Sequence, residues 1–306
     1  MHTRESDYIE GYCRATEANR DVSVRLTEAQ IEFYNKNGFL LVADYFSPAE
    51  LDILMDELPE VFAEDTPRRI LEKSGAVRSV FGTHTTNEVF RRLSRLPRLV
   101  TPAMQLLDSE VYIHQFKINA KVALEGDQWE WHQDFLYWHK EDGMPTSRVL
   151  SAAIFLQEVN EFNGPMLVIP GSHREGMIDV RPQEKFLFSE GEAQVGNGSR
   201  WMPTLTADLK YKINKEILSR ITASNNIFGA KGSAGFVLFF DGNLFHASAN
   251  NLSPRDRISI FVSYNSVENS LGEVANPRPE FIASRDFRPV VPVANDALLE
   301  LGLVAR

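Results

Sequence analysis

The sequence predicts an α+β chain with a mainly β core: a double-stranded β-helix, a cupin-like jelly roll, buttressed by N-terminal helices. Three observations lead there. Amphipathic helical patterns crowd the N-terminal part of the chain, and from Val111 onward the texture changes to short β-branched and aromatic segments: 111–119, 149–157, 166–169, 235–240 and 258–264. Turn signals such as Asn163-Gly164-Pro165 and Pro170-Gly171-Ser172 separate those segments. Strands at this spacing form a sandwich or barrel, and the preceding helices cover one face of it.

In chain order, residues 1–26 are mixed and charged without an apolar period, and read as an arm that is ordered only where it packs on something. A helix is expected from Thr27, because Thr27-Glu28-Ala29-Gln30 has capping-box spacing and Ile31, Phe33 and Tyr34 supply an apolar face up to Gly38. Phe39-Leu40-Leu41-Val42 reads as a buried strand. Ser47-Pro48-Ala49-Glu50 repeats the start signal, and Leu51, Leu54, Met55 and Leu58 form a stripe that packs on a sheet. Residues 27–306 are expected to form a single domain, with an insertion or lid at about 176–232 that carries the loop-like Val195-Gly196-Asn197-Gly198-Ser199.

With 306 residues, 43% of them hydrophobic, the chain can bury a full core. Its formal net charge of -10 repels phosphate backbones, so nucleic acid is not an expected partner. Cys13 is the only cysteine, which excludes an internal disulfide framework and any multi-cysteine metal site. No run approaches the roughly 18 apolar residues that span a bilayer, and Met1–Asp7 has no apolar stretch typical of a signal peptide. A cytoplasmic protein with a small-molecule substrate and no membrane partner is expected; a homodimer is compatible with the sequence.

Seven histidines leave few ways to build a metal site. In His132-Gln133-Asp134, positions i and i+2 of a strand share a face, so an imidazole and a carboxylate can converge on one ion. His246 follows the apolar run Phe236–Phe240 and the turn-like Asp241-Gly242-Asn243, a place from which a side chain can be aimed into a barrel mouth. Two histidines and one carboxylate leave open positions for a bidentate keto acid and O2, the ligand set of non-haem iron(II) oxygenases. Arg257, in a strand-like segment, adds a fork suited to the far carboxylate of 2-oxoglutarate. Arg255, two residues earlier on the same face, competes for that role. Zinc in the same triad would leave Arg257 without a purpose. A halogenase would need a small residue where Asp134 stands.

Taken with Trp131–Phe135, Trp138–Pro145, Phe162–Pro165, Ile169–His173, Tyr264–Val267 and Pro277–Glu280, the sequence resembles the phytanoyl-CoA dioxygenase superfamily, and within it the bacterial ectoine hydroxylases. The resemblance runs from about Leu26 to Pro289. It implies iron(II) on His132, Asp134 and His246, with 2-oxoglutarate and O2 as cosubstrates. It also implies Arg257 with Ser248 on the far carboxylate of 2-oxoglutarate, Asn119 nearby, and a substrate pocket of Gln115, Trp138, Phe240, Phe261 and Arg278. Aromatic faces and an arginine suit a compact zwitterion. Where ectoine hydroxylases read Phe-x-Trp-His-Ser-Asp-Phe-Glu-Thr-Trp-His, this chain has Trp129 for the phenylalanine, Gln133 for the serine and Leu136-Tyr137 for Glu-Thr. Trp129 reshapes a pocket wall, so the expected substrate widens from ectoine to a related amino acid or natural-product intermediate. A barrel that binds a small ligand without turnover is the alternative, and the intact triad with Arg257 argues against it.

Other residues read as structural. Trp131 is expected in the core, and His139 and His173 at turns. His114 is expected to face away from its neighbour Gln115, and Glu141-Asp142 to mark a solvated turn. Cys13 has no expected role.

Overall fold

The computed structural model describes residues 13–14, 24–183, 201 and 204–304; most of the expected arm and the centre of the expected insertion lie outside the described residues. Thr27 and Gln30 form a reciprocal capping box that starts α1 (Glu28–Asn37), and Gly38 ends it at φ 78°. A Cβ on Gly38 would stand 2.4 Å from the His173 ring, so both conformation and space demand glycine there. Ser47 and Glu50 repeat the capping box at α2 (Pro48–Asp56). The helical layer also contains α3 (Leu58–Ala63), α4 (Glu88–Leu93) and α5 (Pro97–Leu107), with the C-terminal helix Ala297–Val304 packed beside them.

Two sheets make the jelly roll. The larger runs in the order β1 (Cys13–Arg14), β2 (Phe39–Ala43), β10 (Val237–Asp241), β7 (Val149–Phe155), β12 (Arg257–Ser266), β5 (Val111–Lys121), β4 (Val77–Phe81), β3 (Arg69–Leu71). The smaller runs β6 (Trp129–His132), β11 (His246–Ser248), β8 (Met166–Val168), β9 (Phe228–Ala230). Apart from the parallel β1–β2 contact, the pairings are antiparallel.

Alternation along the central strands divides the core. Ile118, Ile154, Phe239, Ile260 and Val262 face outward and pack on Leu54, Phe90 and Leu99 of the helices. Phe155, Leu238, Phe240 and Phe261 face inward and meet Met166 and Val168 of the smaller sheet. Each such side chain contributes about 1.5–3 kcal/mol by leaving water, so the helix–sheet layer holds the larger sheet rigid while one end of the interior is left for polar groups.

Three expectations change. The insertion expected through residue 232 gives Phe228–Ala230 to the smaller sheet, where they pair with β8; the strand is too short to stand out from sequence. The rest of its described part packs on the barrel: Val180, Leu209 and Tyr211 cover Leu136 and Tyr137 of α6 (Asp134–Asp142). His114 does not face away from Gln115. The β5–β12 register pairs Ser263 with Gln115 and Tyr264 with Ile113, so His114 is an extra, bulged residue; it is fully buried, edge-on to Trp138, with Nε2 3.4 Å from Asp142. Glu141-Asp142 is not a solvated turn either, because Asp142 is fully buried and Glu141 accepts from Lys210 and the Tyr211 hydroxyl. His139 and His173 do hold turns, through the carbonyls of Met144 and Asn35.

Candidate iron centre

His132 ends β6, and the chain turns into α6 immediately, with Asp134 as its first residue and Gln133 as its N-cap. The pair therefore spans a strand-to-helix junction rather than two positions of one strand, as the i, i+2 reading expected. A carboxylate in the first turn of a helix is favoured by the helix dipole. Gln133, fully buried, fixes the junction: its Nε2 donates to the carbonyls of Gly176 and Asn243, both at 2.7 Å, and its Oε1 accepts from Ile178 N at 2.9 Å.

His246 opens β11 directly across the ladder from His132, and the two rings lie 4.1 Å apart. Nδ1 of His132 donates to Glu130 O at 2.7 Å and Nδ1 of His246 to Leu244 O at 3.0 Å, which turns both Nε2 lone pairs toward a common point. Asp134 Oδ1 is 3.7 Å from His132 Nε2 and 3.8 Å from His246 Nε2, too far for hydrogen bonds and open to an ion between them. Oδ2 of Asp134 is buried without a partner among the described residues. Burial raises the Asp134 carboxyl, but Lys117 and the two imidazoles outweigh it and hold the group well below the usual carboxylate range. Burial, with His132 beside it, pushes the His246 imidazole down to about 3. Two imidazoles and one carboxylate, their donor atoms within 4.8 Å of one another, fit a divalent iron ion.

Arg257 is the buried arginine, 3% exposed, and Arg255 is exposed. Its Nη1 donates to Ser259 Oγ at 2.8 Å and its Nη2 to Gly164 O at 2.7 Å, whereas Nε is buried without a partner. No carboxylate among the described residues pairs with it, and burial pushes it down to about 10. A buried, unpaired guanidinium is costly unless an anion meets it. Of the groups expected beside it, Asn119 lies on the inner face of β5, its Oδ1 accepting from Ser79, and Ser248 is buried on β11 opposite Trp129.

The pocket candidates divide. Phe240 lies 5.1 Å from the His246 ring, so it reaches a metal ligand, and Phe261 lies 6.3 Å from Phe240. Trp129 is tilted beside His132 at 6.3 Å. Gln115 faces inward with its amide on Ile282 O. Trp138 is packed among Phe135, Met144 and Val149. Arg278, expected against a substrate carboxylate, instead directs Nε and Nη2 to Asp142 at 2.7 and 2.6 Å, leaving Nη1 3.4 Å from Thr204. Asp142 answers it: burial would raise this carboxyl, and Arg278 holds it at about 2.

Sequence reasoning missed two buried lysines. Lys121, 2% exposed, donates to Asp127 O and feels Arg257 electrostatically. Lys117 lies 5.0 Å from the Phe261 ring and 5.8 Å from Trp129, and it acts on Asp134. Both share the inner face of β5 with Gln115 and Asn119, so period-two alternation from those residues would have found them.

The phytanoyl-CoA dioxygenase family profile matches residues 34–259. An L-proline trans-4-hydroxylase from Streptomyces griseoviridis is 38% identical over 281 residues, 90% of this chain and 99% of that one. An ectoine dioxygenase from Bordetella bronchiseptica is 36% identical over 284 residues, covering 90% of this chain and 88% of its own. The crystal structure of EctD from S. alaskensis with 2-oxoglutarate and 5-hydroxyectoine superposes with a TM-score of 0.73 at 30% identity, over 88% of each chain. The chain belongs to the phytanoyl-CoA dioxygenase family, and it is an iron(II)- and 2-oxoglutarate-dependent hydroxylase of small polar substrates.

Proposed function

We propose that the substrate is a compact amino acid zwitterion, with L-proline the first to test. The observation that carries the catalytic reading is the convergence of His132, Asp134 and His246 at the smaller sheet, while the larger sheet's inner face holds a buried arginine with no carboxylate partner among the described residues. The proline hydroxylase relative and the substitution of Trp129 for a phenylalanine favour an amino acid over ectoine.

In this reading His132, Asp134 and His246 hold iron(II). Arg257, Ser248 and Asn119, with Lys121 beside them, hold the far carboxylate of 2-oxoglutarate through charge-assisted bonds. Bound there, iron and 2-oxoglutarate supply the O2-dependent oxidation, with release of succinate and CO2, that hydroxylates the substrate. The chain's own work is placement. Lys117 offsets the charge of an anionic group brought to the triad, Phe240, Phe261 and Trp129 wall the substrate, and Gln115 with Nη1 of Arg278 receives its polar end. Asp142 limits what Arg278 can do, because a guanidinium already bound bidentately to one carboxylate attracts a second one less strongly. The insertion over α6 is assigned to excluding water from the interior; proteolysis of that segment should slow when iron, 2-oxoglutarate and substrate are added together, and unchanged cleavage would remove the lid role.

The test is substrate-dependent succinate formation from iron(II), 2-oxoglutarate and O2 across L-proline, other amino acids and ectoine. L-Proline or a close amino acid is expected to stimulate turnover most. Faster turnover of ectoine than of every amino acid would make the chain an ectoine hydroxylase proper. Succinate release without any substrate dependence would contradict both readings.

A further inference from the structure

Arg78 lies on β4, 1% exposed, outside every group assigned above. Its guanidinium carbon stands 3.8 Å from the centroid of the Trp129 ring, a stacking distance. The fork is fully used in three directions: Nε donates to Leu205 O at 3.1 Å, Nη2 to Gln128 O at 3.1 Å, and Nη1 pairs with Glu72 at 2.8 Å. These partners belong to three different parts of the chain: the β3–β4 turn, the residue before Trp129, and the segment at Leu205 that packs on Ile70, Phe81 and Ile282. Beyond Arg78, the indole neighbours Lys117 and the His132 ring.

Resting on the reading that Trp129 walls the substrate pocket, we propose that Arg78 is a positioning residue that sets substrate selectivity by clamping the Trp129 indole. A tryptophan on a strand next to an open site can rotate at its χ angles, and a larger ring than phenylalanine makes each rotamer a differently shaped pocket. Arg78 selects one rotamer by stacking on the ring, while its bonds to Gln128 and Leu205 tie that rotamer to the strand beneath and to the segment above. Only a flat, multidentate cation can stack and donate in three directions together; lysine cannot. The clamp touches neither iron nor 2-oxoglutarate.

Two readouts in the full chain test this, with R78K keeping a cation for Glu72 and therefore the fold. Acrylamide quenching of Trp129, taken as the difference between wild type and W129F, is expected to rise at least about two-fold in R78K as the ring is released; unchanged quenching overturns the clamp. In steady-state assays with L-proline and with ectoine, R78K is expected to raise KM about ten-fold and change the ratio of the two substrates' kcat/KM, with the KM for 2-oxoglutarate unchanged. The same substitution should add little in the W129F background. An equal effect of R78K in both backgrounds, or a parallel loss of 2-oxoglutarate affinity, would make Arg78 merely structural. If W129F leaves KM unaltered for both substrates, the pocket reading itself fails; if W129F shifts KM and R78K does not, only the role of Arg78 fails.

Discussion

On the outer face of the larger sheet, β5 and β12 present Phe116, Ile118, Ile258, Ile260 and Val262 to the helices. On the inner face the same two strands carry Lys117, Asn119, Lys121, Arg257 and Ser259, all buried as well. Equal burial with opposite chemistry separates a face that makes the fold from one that makes the site. Apolar burial stabilises without further help, whereas Arg257, with no carboxylate partner among the described residues, is tolerated at a cost that only an anionic ligand offsets. The interior also holds a contrasting case: Arg278 is answered by Asp142 through Nε and Nη2, so its charge is met within the chain and only Nη1 is left for a ligand.

Substitutions on the two faces should therefore part company. The largest effect is expected at the triad, where D134A should lower substrate-dependent succinate formation at least a thousandfold, about 4 kcal/mol in barrier, with iron binding lost in parallel by metal analysis. D142N should cost about 3–5 kcal/mol of unfolding free energy in urea, because it strands Arg278 in the interior, and D142L with R278M should restore most of it. On the outer face, I260A should cost about 2–5 kcal/mol with unchanged KM for 2-oxoglutarate; a changed KM would break the division between faces.

The pH dependence follows from the same contrast. The Asp142 carboxyl is held at about 2 in the fold, below an unfolded value of about 3.9. Its contribution is fully present above the unfolded value and is lost as pH falls from about 4 towards 2; about 1 kcal/mol of it goes between pH 5 and pH 3, a loss that should be missing from D142N when urea midpoints are compared at those two pH values. An effect of similar size and opposite sign is expected for R257M: removal of a buried cation with no carboxylate partner among the described residues should raise stability by about 1–2 kcal/mol, seen as a higher urea midpoint.

Legibility in the sequence followed the same division. Capping boxes at Thr27 and Ser47 and the long alternating strands β5, β7 and β12 were readable because local geometry and burial agree there. In the smaller sheet β8 was readable at 166–169, but β9 and β11 were not, since they are three residues each and β9 contains glycine; pairing partners far away in sequence, not propensity, make them strands. At the site, the triad and Arg257 carried their own chemistry. Asp134 was placed on the wrong element because one residue, Gln133, switches strand to helix. The Asp142–Arg278 pair was invisible because its members lie 136 residues apart, and the bulge at His114 follows from a register that no single strand reveals. Local pattern could name the inner-face lysines and did not, because a charged residue on a strand is ordinarily read as solvent-facing.

The central claim, that the polar inner face is a joint site for iron and 2-oxoglutarate, is tested most directly by titrating 2-oxoglutarate into the iron(II)-loaded chain without O2, in wild type and R257M. One equivalent should bind wild type, only with iron present, and affinity should fall about ten- to a hundredfold in R257M, as expected for loss of a charge-assisted pair. Equal affinity in R257M, or undiminished binding to the iron-free chain, would contradict the account.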